Sequence, residues 1–214
     1  MHRYLCTRIG LLALVGILAA CGTTAASPDH FVIKAQPHGK ISLGITFEFS
    51  GIAARQPRTS PIDLRIRLTD IPPLRFAGLT VVATGAVSLT QPLTQVITTM
   101  QSPTLDIPVR VWINGAGEGS ISVVLGTWDQ SNTATTFSQE KPYMNASGGT
   151  LYLYATAEYL YAGIGSSQHV ERAVFQHQYE QGQITKDEYD RALRSQTSDG
   201  PIAITAVPLT PTGR

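Results

Sequence analysis

Cysteine is nearly missing from this chain of 214 residues: there are two, Cys6 and Cys21. Beyond residue 21 the sequence therefore offers no disulfide, no thiol nucleophile and no cysteine metal site, and the fold must be held by its core alone. Charge is also sparse. Charged side chains make up 14% of the residues, with 16 basic against 15 acidic and a formal net charge of +1. A phosphate backbone demands a basic surplus, so nucleic acid is excluded as an expected partner. Long apolar runs are missing too. Ile9 to Ala20 is a run of twelve residues, glycines included, and a membrane-spanning helix needs about 20. What remains, 43% hydrophobic residues with 19 Gly and 13 Pro, suits one compact domain with appendages.

Arg3 and Arg8 precede the apolar run, which gives the N-terminus the form of a secretory signal peptide. Directly after it stands Leu18-Ala19-Ala20-Cys21, which resembles the lipobox of bacterial lipoproteins. The resemblance implies that a signal peptidase recognises Leu18, Ala19 and Ala20, removes residues 1–20, and leaves Cys21 as the acylated first residue. In that family an Asp at the second mature position holds the protein in the inner membrane. Gly22 stands there, so the implied address is the outer membrane, lipid-anchored and facing the periplasm. Loss of Arg3 and Arg8 leaves 14 basic side chains against 15 acidic. The membrane partner is then reached through acyl chains, each buried CH₂ contributing about 0.8 kcal/mol, without a polybasic patch.

Residues 21–30 are small and polar, as expected of a tether. From there to residue 165 the pattern alternates with period two. Ile41, Leu43, Ile45, Phe47 and Phe49 share one face; Ile62, Leu64, Ile66 and Leu68 repeat the pattern; Leu105, Ile107, Val109, Val111 and Ile113 do so again; Ile121, Val123 and Leu125 follow. Leu79 to Val82 and Leu151 to Tyr161 are apolar on both faces, which predicts strands in the middle of a covered sheet. Proline and glycine clusters separate these runs. About seven short strands at this spacing predict a mainly β fold, an immunoglobulin-like antiparallel β-sandwich over residues 31–165.

After Gly165 the composition turns charged and amide-rich. Residues 166–196 predict a helical hairpin: Ser167 as a cap, a first helix through Val170, Val174 and Phe175, and Gly182 as its stop. Thr185 and Glu188 have capping-box spacing, and Ile184 and Tyr189 stand where a hydrophobic staple would join them. With Leu193, these residues are the expected interaction and capping set of the hairpin. Gly182-Gln183-Ile184-Thr185-Lys186-Asp187-Glu188-Tyr189 resembles the short C-terminal domain found at the ends of many bacterial proteins, in which a helix, a Gly-x-Ile-Thr turn and a second helix recur. The resemblance covers about 30 residues, departs from the family in the first helix, and implies association in place of chemistry. Residues 197–214 predict an extended, proline-containing tail, with Ile202 to Val207 able to add a strand.

Candidate chemistry is thin. His169 and His177 are eight apart on one helix, about 12 Å along its axis, too far to share a metal ion. His30 and His38 flank a loop and have no neighbouring ligand pair. Gly115-Ala116-Gly117-Glu118-Gly119 lies between strands and reads as a hairpin loop. Gly117-Glu118-Gly119-Ser120 and Gly163-Ile164-Gly165-Ser166 each lack the last glycine of a nucleophile elbow. Tyr152, Tyr154, Tyr159 and Tyr161, with Trp112 and Trp128, could line a glycan-binding face, although tyrosine also fits a half-buried sheet. The expected function is a lipid-anchored, non-catalytic accessory or scaffold protein of the cell envelope, with no cofactor or metal, bound to an envelope protein or to itself. A peptidoglycan- or carbohydrate-binding module is the alternative, and an envelope hydrolase the weaker one.

Overall fold

Alternating apolar residues in the middle of the chain do form strands. A computed structural model describes residues 30–34, 36–37, 42–52, 56–57, 60–127, 145–194 and 203–210. The signal, the lipobox with Cys21, the tether as far as residue 29, Ile41, His38 and Trp128 lie outside them. Among the described residues the strands are β1 (His30–Lys34), β2 (Gln36–Pro37), β3 (Thr46–Ser50), β4 (Gln56–Pro57), β5 (Ile62–Thr69), β6 (Leu74–Gly85) and β7 (Val87–Leu89). They continue as β8 (Leu93–Met100), β9 (Leu105–Ile113), β10 (Gly117–Thr127), β11 (Asn145–Ala155) and β12 (Tyr159–Gly163). Two helices follow, α1 (Ser167–Glu180) and α2 (Lys186–Arg194), and β13 (Ile204–Thr210) closes the series.

The fold is mainly β. One sheet has the order β1-β3-β5-β9-β7; the other runs β4-β13-β12-β11-β10-β6-β8, with β2 also paired to β11. Among the described strands pairing is antiparallel except between β13 and β4. The two sheets turn their apolar faces toward one cluster. Phe47, Phe49, Ile62, Leu64, Ile66, Leu68, Ile107, Val109 and Val111 come from the first sheet. Leu79, Val81, Ile121, Val123, Leu125, Leu151, Leu153, Leu160, Val207 and Leu209 come from the second. Each large aliphatic or aromatic side chain buried there contributes about 1.5–3 kcal/mol, so the cluster supplies the cohesion that disulfides cannot.

The sheets meet closely. At Gly149, on the inner face of β11, an added Cβ would lie 2.9 Å from Phe47 Cγ of the opposite sheet, so the phenyl ring occupies the place of a side chain. At one corner β6 passes into β7 and changes sheet. Gly85 takes φ +69° there, and Ala86 N donates to Glu118 O (2.7 Å) while Ala86 O accepts from Asn114 N (2.8 Å). Chains that change sheet through such a bend form the corners of a sandwich. The buried Ser147 hydroxyl accepts from Leu43 N at 2.8 Å, pinning the approach to β3 against β11.

Three details differ from the sequence pattern. Val82 is 44% exposed, so β6 has one covered face there and not two. Leu151 to Tyr161 is two strands, divided where Thr156 Oγ1 accepts from Tyr159 N at 2.9 Å and Thr156 N donates to Tyr159 O at 2.8 Å. The tail strand occupies Ile204–Thr210, beyond the expected Ile202 to Val207, and pairs with β12 from Gly163↔Ile204 to Tyr159↔Pro208.

Candidate functional site

The outer face of the eight-stranded sheet carries a row of tyrosines because β11 and β12 place residues of the same parity side by side: Tyr152 opposes Gly163, and Tyr154 opposes Tyr161. Helix α1 lies on this row. Val170 and Val174 are buried with Tyr161, and Tyr152, Tyr154 and Tyr159 pack around them. Gly163 permits the approach, since a Cβ there would lie 2.9 Å from both Val170 Cγ2 and Ile204 Cγ1. The four tyrosines are therefore helix-packing residues. Trp112 belongs to the other sheet, on the exposed side of β9.

His177, one turn before the end of α1, fixes that end of the helix. Its Nδ1 shares a 2.6 Å hydrogen bond with the Tyr161 hydroxyl, and its ring meets the Tyr159 ring edge-on at 4.6 Å. Burial first, then Tyr159 and Glu158, push the Tyr161 phenol up to about 12. Burial likewise raises Tyr154, aided by Glu171 and Glu118. A small cleft of about 210 Å³ opens beside this contact, lined by Glu158, Tyr159, Tyr161, His177, Gln178 and Gln181 among others. The other helical histidine, His169, is buried with its Nδ1 3.1 Å from Ser166 Oγ. His30 opens β1 on an exposed position. Among the described residues no group of three or more His, Cys, Asp or Glu side chains gathers in metal-binding range, and no helix is long and apolar enough to cross a membrane.

The ends of the helices follow local chemistry. The N-cap of α1 is Ser166, one residue earlier than the Ser167 read from sequence, and its side chain accepts from His169 N. At the other end Gly182, at φ +68°, donates to Tyr179 O at 2.9 Å while Gln183 N donates to Gln178 O at 2.8 Å. These paired bonds are those of a Schellman stop. Before α2, Glu188 N donates to Thr185 Oγ1 (3.3 Å) and Thr185 N to Glu188 Oε2 (2.8 Å). The Thr185 backbone and hydroxyl bonds hold the Glu188 carboxyl below its ordinary range. Lys186 pairs with Asp190 at 2.6 Å on the exposed side, and that bond raises its ammonium.

No protein-family model matches the chain, and no curated protein or solved structure matches it. The geometry alone thus describes the site.

Helix α2 has no buried residue. Tyr189 stacks on Tyr179 of α1 with centroids 5.0 Å apart and planes 9° apart, a partner that the Ile184–Tyr189 staple spacing did not single out. Tyr189 and Leu193 remain half-exposed on this element, as do Ile184 just before it and Phe175 on α1, while Thr185 and Glu188 face solvent. The structure brings together Thr185 with Glu188, and Tyr179 with Tyr189. The Tyr161–His177 pair escaped the sequence because residues 16 apart on a strand and a helix have no spacing rule. The available signal was Gly163 beside outward tyrosines, a gap in the sheet surface of the size that a helix fills.

Proposed function

We propose that the protein is a lipid-anchored envelope protein that acts by association, as a non-catalytic accessory or scaffold subunit. Cys21 carries the acyl chains, the outer membrane is its address, and the two sheets form an immunoglobulin-like sandwich that stands off the bilayer. α1 and α2 act as a helical hairpin of the short C-terminal domain kind, presenting α2 to an envelope partner.

The observation that supports this reading best is the contrast between the helices. Val170, Val174 and His169 bury α1 in the sheet, whereas α2 buries nothing and keeps Tyr189 and Leu193 half-exposed. A capped helix that is not used by its own core is available to another surface. The covering of the tyrosine row by α1 weighs against the glycan-binding alternative, which needs open rings.

The test is mild crosslinking in the native cell, with wild type, Cys21→Ser and a Tyr189→Ala/Leu193→Glu pair compared. A partner captured by wild type and lost from the pair supports association through α2. Capture that is unchanged by the pair overturns that role, and radiolabelled palmitate in the Cys21→Ser protein overturns the anchor.

A further inference from the structure

Sheet edges expose unpaired backbone N–H and C=O groups, and soluble proteins guard them with short strands, prolines, charges or a change of direction. Of the four sheet edges among the described residues, three are guarded. β4 is two residues ending in Pro57, beside Pro208 of β13. β7 is three residues long. β1 ends in Lys34 and leads at once into β2, which belongs to the other sheet. The fourth is β8, Leu-Thr-Gln-Val-Ile-Thr-Thr-Met, eight residues with no charge, proline or glycine, lying at the end of the eight-stranded order beyond β6.

We propose that β8 is an interface strand that pairs antiparallel, about a twofold axis, with β8 of a second copy of this chain. This goes beyond association through α2 by naming a second surface and, for it, a second copy of the chain as partner. A second copy suits the edge because the strand is uncharged: a twofold contact sets the edge against itself, and a charge near the axis would face its own copy. The neighbouring strand agrees, since Arg75 is the single charge of β6. The eight-stranded sheet is already built by antiparallel neighbours on this side, β10 on β6 and β6 on β8, so a second β8 continues the ladder with the same hydrogen-bond geometry.

Phe76 adds an independent mark beside the edge. It sits in β6 at φ +52°, a conformation that a bulky side chain disfavours, and it is 45% exposed. It falls between the pairs Arg75↔Thr99 and Ala77↔Ile97 of the β6–β8 ladder. At that point the inward parity shifts, so that Leu74 and Ala77 are both buried. An apolar ring held outward against its backbone preference is available to the joined sheet.

The test is sedimentation equilibrium of the full chain carrying Cys21→Ser, so that acyl chains do not drive association, over concentrations up to about 100 μM. Three variants accompany it: Gln95→Lys/Thr99→Lys on exposed β8 positions, Val32→Lys on exposed β1, and Tyr179→Ala/Tyr189→Ala between the helices. The expected result is a dimer weakened about tenfold by the β8 lysines and unchanged by the other two, with thermal unfolding of the lysine variant as in the parent. A monomer across the whole series overturns the proposal. A dimer lost only in the tyrosine variant also overturns it, moving self-association to the helices and leaving the wider association reading intact. A β8-dependent dimer with no α2-dependent capture in cells sustains this inference and removes that reading.

Discussion

Tyr161 joins burial to a hydrogen bond, and its burial favours the neutral phenol. Its side chain is 2% exposed and its hydroxyl meets His177 Nδ1 at 2.6 Å. The folded-state phenol is raised from 10.0 to about 12, so the unfolded chain loses this proton first. Stability from this group is therefore whole below pH 10 and declines as pH rises toward 12. Tyr161→Phe is expected to lower stability at neutral pH by about 1 kcal/mol through the lost bond and to decline less steeply above pH 10. Tyr154, also raised, keeps part of the slope. Urea unfolding of both proteins across that range checks this, and parallel alkaline slopes would refute it. Apart from Gly163 beside the outward tyrosines, nothing in the sequence pointed to the pair, because strand and helix periodicities each describe one element and the contact belongs to two.

For elements, legibility followed periodicity. β5 alternates buried Ile62, Leu64, Ile66 and Leu68 with exposed Asp63, Arg65 and Arg67, and β9 does the same around Ile107, Val109 and Val111. Those strands could be written down from the chain. β7 and β8 could not, since a three-residue strand has no period and β8 mixes Thr and Gln with apolar residues on an edge. α1 was legible as a helix, but its seat was not: the doubly apolar run in β11 and β12 foretold a cover without naming it. Its seat depends on Gly163. Gly163→Ala sets a methyl within 2.9 Å of Val170 Cγ2 and Ile204 Cγ1, both on β-branched side chains that cannot swing clear. The expected cost is about 1–3 kcal/mol. A urea midpoint equal to that of wild type would show that α1 is not held this closely.

At the scale of the molecule, the C-terminal strand is part of the core. Val207 is 2% and Leu209 5% exposed, and β13 lies between β12 and β4. Val207→Asp buries a charge without a partner and is expected to cost about 3 kcal/mol or more. Far-UV circular dichroism during thermal unfolding checks it, and an unchanged midpoint would return residues 204–210 to the status of a tail. Cysteine scarcity left this scale to hydrophobic contact, which is why the loss of one edge-proximal strand is expected to matter so much.

Because Gly163 and Ile204 are paired neighbours, everything between them, both helices included, is in topological terms the loop of a single hairpin. In topology such a loop is replaceable. A tight turn or a different insert leaves the pairing of β12 with β13 in place, with closure entropy that grows only slowly with length, provided that it covers the tyrosine row on which α1 packs. The sandwich then serves as a socket, and whatever sits between those two residues is a cartridge that selection or an engineer can replace.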